Sequence, residues 1–450
     1  MRIYLKLAVI AGLVLLLTIP LFLVVSKIYE RDNYYKQARD DIARSWTGEQ
    51  TVLGPLLVIP YTRVYDKHEI DRVTNREVTQ QMQAHENLFV LPDTFTASAD
   101  LKTELRYRGI YEVPVYTGSI LLHGRFSNAA LIELAKRDDI VGIGQPFISV
   151  SVSDMRGIAE TPTLQWDSGS IGFLPGSRLP FRAGGIHAVL DGVDVTGPAS
   201  FRYSLSLTLR GMSSFHVVPV GTSSSVSMGS IWPHPRFEGL YLPSRRDVSG
   251  EGFAAEWQLT AFATNIAQKA RDCASGSCAE FLGEQLGVAL VDPVDVYLQA
   301  QRASKYGILF IGLTFAAFFL FEVLGRLAIH PVQYTLVGLA LTVFFLLLVS
   351  LAEQIPFAWA YLIAAGACCG LLGFYISYVL DSIVRGSVFA SAIAALYAVL
   401  YVIIRQEDYA FSMGAILVFA ALAVTMFVTR HIDWFAIGRE ARATGGPARL

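Results

Sequence analysis

Charged residues are scarce in this chain. Asp, Glu, Lys and Arg make up 16% of its 450 residues, whereas 53% of the residues are hydrophobic. Soluble domains carry about 25% charged residues, so this deficit indicates that lipid replaces water over part of the protein surface. The net charge of −2 leaves no basic excess, which argues against nucleic acid as a partner.

Signatures of hydrolases and nucleotide-binding proteins are also missing. His68-Glu69 and His85-Glu86 begin like the zinc motif of metalloproteases, but neither has a second histidine four residues after the first. No Gly-x-Ser-x-Gly elbow and no Walker phosphate loop occurs. The sequence does not exclude a Ser/His/Asp triad built from distant residues, because triads are recognised by geometry rather than by their order in the chain. The sequence predicts a protein that is not an enzyme and that has no catalytic residues, no metal and no cofactor.

Long apolar runs, in contrast, are abundant. Leu7–Val25 is uncharged and follows a basic start, so we predict an uncleaved N-terminal anchor. Five further runs have the length of one membrane crossing at about 1.5 Å per residue: Tyr306–Leu324, Val332–Leu351, Phe357–Leu380, Ser387–Ile404 and Tyr409–Val428. The predicted fold is that of a membrane protein, with an α-helical transmembrane bundle of six helices (one plus five) and a large inserted extracytoplasmic all-β domain resembling a sandwich.

Basic residues predict the direction in which the chain crosses the membrane. Short cytoplasmic segments are rich in Lys and Arg. With the N-terminus inside, the short outside loops carry Arg405 alone, whereas the inside segments carry Arg2, Lys6, Arg326, Arg385, Arg430, Arg439, Arg442 and Arg449. We predict a multi-pass protein of a bacterial inner membrane with both termini cytoplasmic. Its parts are the start and anchor (1–26), a periplasmic β-rich domain with helical stalks (27–305), a five-helix bundle (306–429) and a cytoplasmic tail (430–450).

The predicted periplasmic domain has the alternation typical of half-buried strands. Apolar and polar residues alternate with period two along Phe201–Leu209. Similar runs are Thr51–Val64, Thr96–Tyr107, Val113–Phe126, Phe147–Val152 and Glu256–Ala263. One amphipathic helix is expected at Asn128–Lys136. Strands with so few intervening helices favour a sandwich or meander over a parallel sheet. The length of the domain allows one extended sandwich or two tandem ones.

The four cysteines form two pairs in sequence. Cys273 and Cys278 flank a Gly-Ser centre that permits a tight loop, and they lie in the predicted periplasmic domain, where disulfides persist. We therefore predict a disulfide between them, which closes a short loop and stabilises locally. Cys368 and Cys369 lie beside glycines in a membrane run, where small residues are typical of a helix interface.

Two segments of the β-rich domain are candidates for contact with a ligand or partner. Asp154 and Arg156 follow a predicted strand; the alternative is a turn in which Asp154 caps backbone donors and pairs with Arg156. Trp232, His234 and Arg236 lie on a segment stiffened by prolines that could bind a lipid headgroup or a glycan. The alternative for these three residues is a loop packed on the core.

Ionisable residues in membrane segments are functional candidates by default. The candidates in the bundle are Glu322, Arg326, His330, Asp381 and Arg385. Glu322 and Arg326 are four residues apart, as are Asp381 and Arg385, so ion pairs within a helix are the alternative interpretation. No run carries a charge at its centre, which weighs against ion-coupled transport.

Several spaced motifs resemble the CreD family of inner-membrane proteins, and the resemblance covers the whole chain. The most specific block runs from Ala303 to Glu322 and continues through His330-Pro-Val-Gln-Tyr334 and Leu336-Val-Gly338. Further matches are Trp232-Pro-His-Pro235, Leu242-Pro243, Asp154-Met-Arg-Gly157 and Ile432-Asp-Trp434. The Cys273/Cys278 pair does not match a feature of that family.

The resemblance implies a cell-envelope integrity protein produced under stress and linked to tolerance of colicins, detergents or β-lactams. It transfers no active site. We expect a non-enzymatic binder of an envelope lipid, a wall component or a partner protein, with membrane lipids around it. The alternatives are a membrane-bound enzyme acting on envelope components and an accessory receptor in two-component envelope signalling.

Overall fold

The computed structural model describes residues 3–70, 77–191, 197–291, 296–325, 329–405 and 410–430. Arg326, the tail after Arg430 and the Ile432–Trp434 motif lie outside the described residues. The helices are α1 Ile3–Ser45, α2 Ala129–Ala135, α3 Ala261–Thr264, α4 Ile266–Ala274, α5 Ala279–Gly283, α6 Val296–Lys305, α7 Gly307–Gly325, α8 Pro331–Ala352, α9 Phe357–Val379, α10 Ile383–Arg405 and α11 Ala410–Thr429.

The strands of the described residues lie between α1 and α6. They are β1 Gln50–Ile70, β2 Glu77–Val90, β3 Thr94–Arg108, β4 Tyr111–Ser127, β5 Ile140–Ile143, β6 Phe147–Val152, β7 Thr163–Trp166, β8 Gly169–Gly172, β9 Leu174–Pro175, β10 Ile186–Val189, β11 Ser200–Met212, β12 Ser214–Val218, β13 Ser223–Ser230, β14 Pro235–Gly239, β15 Arg245–Ser249, β16 Gly252–Thr260 and β17 Leu286–Leu290. The chain divides into two compact units, which we call the helical unit (1–36 and 294–450) and the β unit (37–293).

Two sheets build the β unit. One has the order β14-β17-β12-β1-β6-β10-β9, with β2 and β5 also paired to β1; the other has the order β15-β16-β13-β3-β4-β11-β7-β8. Buried residues of both sheets, such as Val52 and Phe95, belong to one hydrophobic cluster. This common core favours one extended sandwich over two tandem ones.

The predicted strand alternation is confirmed in β11, where Tyr203, Leu205, Leu207 and Leu209 are buried and alternate with more exposed residues. The amphipathic helix is confirmed as α2, which buries Leu131 and Leu134. The predicted strand at Glu256–Ala263 ends earlier, because α3 begins at Ala261.

The helical unit contains the predicted membrane-crossing segments. Among the described residues, five helices are long and apolar enough to cross a bilayer: one begins near the N-terminus at Leu5, and the others are α8, α9, α10 and the Ser412–Thr429 part of α11. A sixth span is formed if Tyr297–Lys305 and Gly307–Val323, which meet at a bend of 44°, are taken together. Counted in this way, the described helices match the predicted one-plus-five arrangement, with the second span broken at Tyr306. Counted without the bent pair, they give one N-terminal and four C-terminal spans.

The disulfide predicted between Cys273 and Cys278 is present and joins α4 to the segment that leads into α5. Cys368 and Cys369 are free cysteines. Cys368 is buried in α9, where the Tyr397 hydroxyl of α10 lies 3.3 Å from its sulfur. The contact between these neighbouring helices fits the interface predicted for the cysteine pair.

Candidate functional site

The Asp154–Gly157 motif forms a turn that holds the end of α1. Asp154 accepts the backbone N–H of Arg156 at 3.1 Å, and the two side chains form an ion pair at 2.6 Å. The Arg156 guanidinium also donates to the carbonyl oxygens of Arg44 at 2.6 Å and Ala43 at 3.1 Å. Hydrogen bonding to Arg156 lowers the pKa of Asp154. These contacts match the turn interpretation; contact with a ligand stays a prediction.

Trp232 closes a loop against the segment that follows the last strand of the β unit. Its indole N–H donates to the Val291 carbonyl at 2.9 Å, and the Val291 N–H donates to the His234 carbonyl at 3.2 Å. Trp232 is half-buried against the core, whereas the His234 side chain is less tightly packed and does not belong to that core. The segment is therefore a braced loop, and the imidazole of His234 is an accessible polar group on it, as is the exposed side chain of Arg236.

Arg236 lies in a small charged cluster beside this loop. Its guanidinium pairs with Glu238 two residues later. The other carboxylate oxygen of Glu238 lies 3.5 Å from Nε2 of His216. His216 is buried in β12, and burial lowers its pKa although Glu238 acts in the opposite direction. No local pattern singles out His216 or Glu238, because they meet only when β14 and β12 both pair with β17.

Glu322 has a buried carboxylate in the helical unit, and its ion-pair partner, Lys6, lies on α1. The Lys6 ammonium forms an ion pair with Glu322 and donates to the Ile329 carbonyl at 3.1 Å. The Tyr334 hydroxyl donates to the other oxygen of Glu322 at 2.9 Å. We call Lys6, Glu322 and Tyr334 the carboxylate cluster. The partner expected from the sequence, Arg326, lies outside the described residues.

The remaining bundle candidates are His330, Asp381 and Arg385. His330 caps α8 by accepting the Val332 N–H at its Nδ1, 3.3 Å away. The expected pair between Asp381 and Arg385 does not form, and neither has an ion-pair partner within the part of the chain that the structure describes. The reason is that α10 begins at Ile383 and Asp381 precedes it with φ of +46°, so the helical i,i+4 spacing does not apply.

A second polar cluster lies further along α1. Arg31 is 3.5 Å from a carboxylate oxygen of Glu353, which also accepts from the Tyr297 hydroxyl at 3.3 Å. Lys6 and Arg31 are about 38 Å apart along a helix that rises 1.5 Å per residue, roughly the thickness of a bilayer with part of its headgroups. The uncharged run Leu7–Val25, which has membrane-crossing length, lies between them.

Between these clusters, α1 and the bent pair α6 and α7 enclose a groove of about 520 Å³, which we call the interhelical groove. Its apolar walls include Ile19, Phe22 and Ile308, residues that are 58%, 71% and 52% exposed. Gly307 allows the helices to approach, since a Cβ there would lie 2.9 Å from both methyl carbons of Leu21. The apolar walls thus present open surface within membrane-crossing segments.

One end of the interhelical groove is polar. Tyr29, Gln301, Ser304 and Lys305 line it. Lys305 is exposed, and it has no hydrogen-bond or ion-pair partner among the residues that the structure describes. Lys305 was not among the residues selected from the sequence; the available signal was a lysine at the end of a charged segment directly before an apolar run, a position that suits an interfacial cation.

A metal centre has no support in the described parts of residues 3–430. No group of three or more His, Cys, Asp or Glu side chains there has a geometry suited to a metal ion.

Comparisons with known proteins place the chain in a family. The family model described as "Inner membrane protein CreD" matches residues 2–435. The Inner membrane protein CreD of Escherichia coli strain K12 is 36% identical over 432 residues, which cover 96% of this chain and 93% of the relative. An M1 zinc metallopeptidase structure from Deinococcus radiodurans, 9% identical, covers 38% of this chain and 39% of its own with a TM-score of 0.19, too low to relate the folds. The chain belongs to the CreD family of inner membrane proteins.

Proposed function

We propose that this protein is a non-enzymatic inner-membrane protein that supports cell-envelope integrity by binding an anionic phospholipid in the interhelical groove. The observation that carries the proposal is the position of Lys305, which has no ion-pair partner in the described chain, at the polar end of an apolar groove between α1, α6 and α7. The proposed ligand places its acyl chain along Ile19, Phe22 and Ile308 and its phosphate beside Lys305.

The chemistry of the groove supports a lipid over other small molecules. The exposed apolar walls belong to segments that cross the membrane, where acyl chains are the surrounding solvent. A lysine ammonium near a membrane helix end attracts anionic headgroups, and the Tyr29 hydroxyl and Gln301 amide supply additional hydrogen-bonding groups. The groove volume of about 520 Å³ is in the range of small-molecule sites.

The proposed orientation places both termini in the cytoplasm and the β unit in the periplasm. The distribution of Lys and Arg over the short loops supports it. The polar end of the interhelical groove then belongs to the outer leaflet of the inner membrane, because α1 runs outward from the cytoplasm.

The experiment is native mass spectrometry of the full protein purified in mild detergent. We expect retained anionic phospholipid on the wild-type protein and a several-fold loss of it in Lys305→Gln. The matched control is Lys27→Gln, which removes the same charge from α1 at a residue that pairs with Glu30 and does not line the groove. Ile308→Trp, which fills the groove, should also displace the lipid.

Equal lipid retention by the wild type, Lys305→Gln and Ile308→Trp would contradict the proposal. Loss of lipid in Lys27→Gln to the same extent would show that general surface charge, and not the groove, holds the lipid. The proposal would also be contradicted if the purified wild-type protein carried another membrane helix or a second copy of the chain in place of lipid.

A further inference from the structure

Two arginines of the β unit stand directly opposite each other. Arg125 of β4 and Arg202 of β11 are cross-strand partners, and both side chains reach solvent. Like charges at directly opposed positions destabilise an antiparallel pair. Neither guanidinium has a hydrogen-bond or ion-pair partner in the described portion of the chain. Asp167 lies beside them, but its carboxylate accepts the Arg202 backbone N–H at 2.8 Å and makes no ion pair with either guanidinium.

The arginine pair lies at a groove of about 560 Å³ on the eight-stranded sheet. Thr96, His123, Ser204 and Gln165 are successive cross-strand partners on four adjacent strands, and all four line the groove. We call these four residues the polar row. The arginines lie two residues along the strands from it, which is about 7 Å at the usual rise.

We propose that the arginine pair and the polar row together bind an anionic oligosaccharide, with a sugar carboxylate at Arg125 and Arg202 and sugar hydroxyls at the polar row. Guanidinium groups present paired donors that match the two oxygens of a carboxylate. Hydroxyl, imidazole and amide side chains both donate and accept, as sugar hydroxyls require. This site is separate from the interhelical groove and does not depend on it.

The combination favours a glycan over a simple anion or a lipid. An isolated phosphate would satisfy the two arginines and leave the polar row without a partner. The groove offers an acyl chain only a limited apolar surface, since Leu121, which is 41% exposed, is the aliphatic side chain among its lining residues. One such side chain suits the apolar face of a sugar ring.

The test measures binding of tri-galacturonic acid to the full protein in detergent micelles by isothermal titration calorimetry, with maltotriose as the neutral probe. We expect binding of the acidic trisaccharide and at least a tenfold weaker affinity in the variant that combines Arg125→Gln and Arg202→Gln. The matched control combines Arg245→Gln and Arg246→Gln on β15, which removes the same charge from two exposed arginines outside the groove. This control should bind like the wild type.

Two further measurements separate a binding site from a folding defect or from general charge attraction. The Arg125/Arg202 variant should unfold at the same temperature as the wild type or at a higher one, because it loses a repulsion. The variant His123→Ala should bind the trisaccharide more weakly, whereas its affinity for inorganic phosphate should be unchanged.

Three outcomes would overturn the proposal. They are absence of trisaccharide binding to the wild type, equal weakening in the Arg245/Arg246 control, and complete displacement of the sugar by an equal concentration of inorganic phosphate. Each of them would remove either the site or the glycan as its ligand.

Discussion

At the residue scale, His216 makes the stability of the β unit depend on pH. It is 8% exposed, and burial lowers its pKa although Glu238 and Glu49 act to raise it. The folded state therefore binds the imidazole proton less readily than the unfolded chain, in which the pKa is about 6.5. The contribution of neutral, buried His216 to the stability of the folded state is complete above the unfolded pKa. This contribution is lost as the pH falls from the unfolded pKa to the folded pKa.

We predict that acidification from pH 7.5 to 5.5 lowers the unfolding temperature of the wild type more than that of His216→Gln. Each 1 kcal/mol of lost stability corresponds to roughly 2–4 °C in a domain of this size. Unfolding is followed by tryptophan fluorescence of the full protein in detergent, with His234→Gln as control. Equal pH dependence in the wild type and His216→Gln would contradict the prediction.

The sequence was informative about some single residues and silent about others. The turn interpretation of Asp154 and Arg156 follows from local turn chemistry, which is why the turn and its ion pair could be foreseen. Lys6 and Glu322 lie far apart in the chain, and no local pattern connects them. Partners of this kind depend on how helices pack, and a single sequence does not encode that in its periodicity.

At the scale of elements, the carboxylate cluster joins α1, α7 and α8. The side chains of Lys6 and Glu322 are 16% and 7% exposed, so removing Lys6 leaves the carboxylate of Glu322 nearly buried without a counter-charge, held only by hydrogen bonds such as that from Tyr334. We predict that Lys6→Gln costs about 3–5 kcal/mol of stability, the usual cost of breaking a buried pair. The double variant Lys6→Gln with Glu322→Gln should be less destabilised than the sum of the two single variants.

The control for this cycle is Lys27→Gln. Lys27 and Glu30 form an exposed pair on the same helix, with side chains 66% and 43% exposed, and its loss should cost much less stability than the loss of the buried pair. Reversible unfolding in mixed micelles measures all variants. If Lys6→Gln were no more destabilising than Lys27→Gln, the carboxylate cluster would not hold the three helices together.

Elements were predicted well where the pattern is local. The alternation of apolar and polar residues predicts the strands β1, β3, β4 and β6. The length of the apolar runs predicts the membrane-crossing segments. The order of strands in the sheets was not predictable, since β1 pairs in parallel with β12 and β3 with β13, across well over a hundred residues of chain. The arginine pair at positions 125 and 202 and the groove beside it were hidden for the same reason.

At the scale of the whole molecule, the orientation in the membrane decides which ligands each unit can meet. We predict that alkaline phosphatase fused after Ser168, in the exposed turn between β7 and β8, is active in cells, because that enzyme requires the oxidising periplasm for its disulfides. Green fluorescent protein fused after Leu450 should be fluorescent, because the basic segments place the C-terminus inside.

Thiol labelling in intact cells checks the same orientation without a fusion. Cys273 and Cys278 should resist alkylation until a reductant is added, since their disulfide persists only outside the cytoplasm. The variant Cys368→Ser with Cys369→Ser, which removes the free cysteines of α9, confines the label to this pair. An inactive phosphatase at Ser168 together with freely alkylated Cys273 and Cys278 would show that the orientation is the opposite of the predicted one. The polar end of the interhelical groove would then belong to the inner leaflet, and the glycan groove would face a compartment where wall polysaccharides are absent.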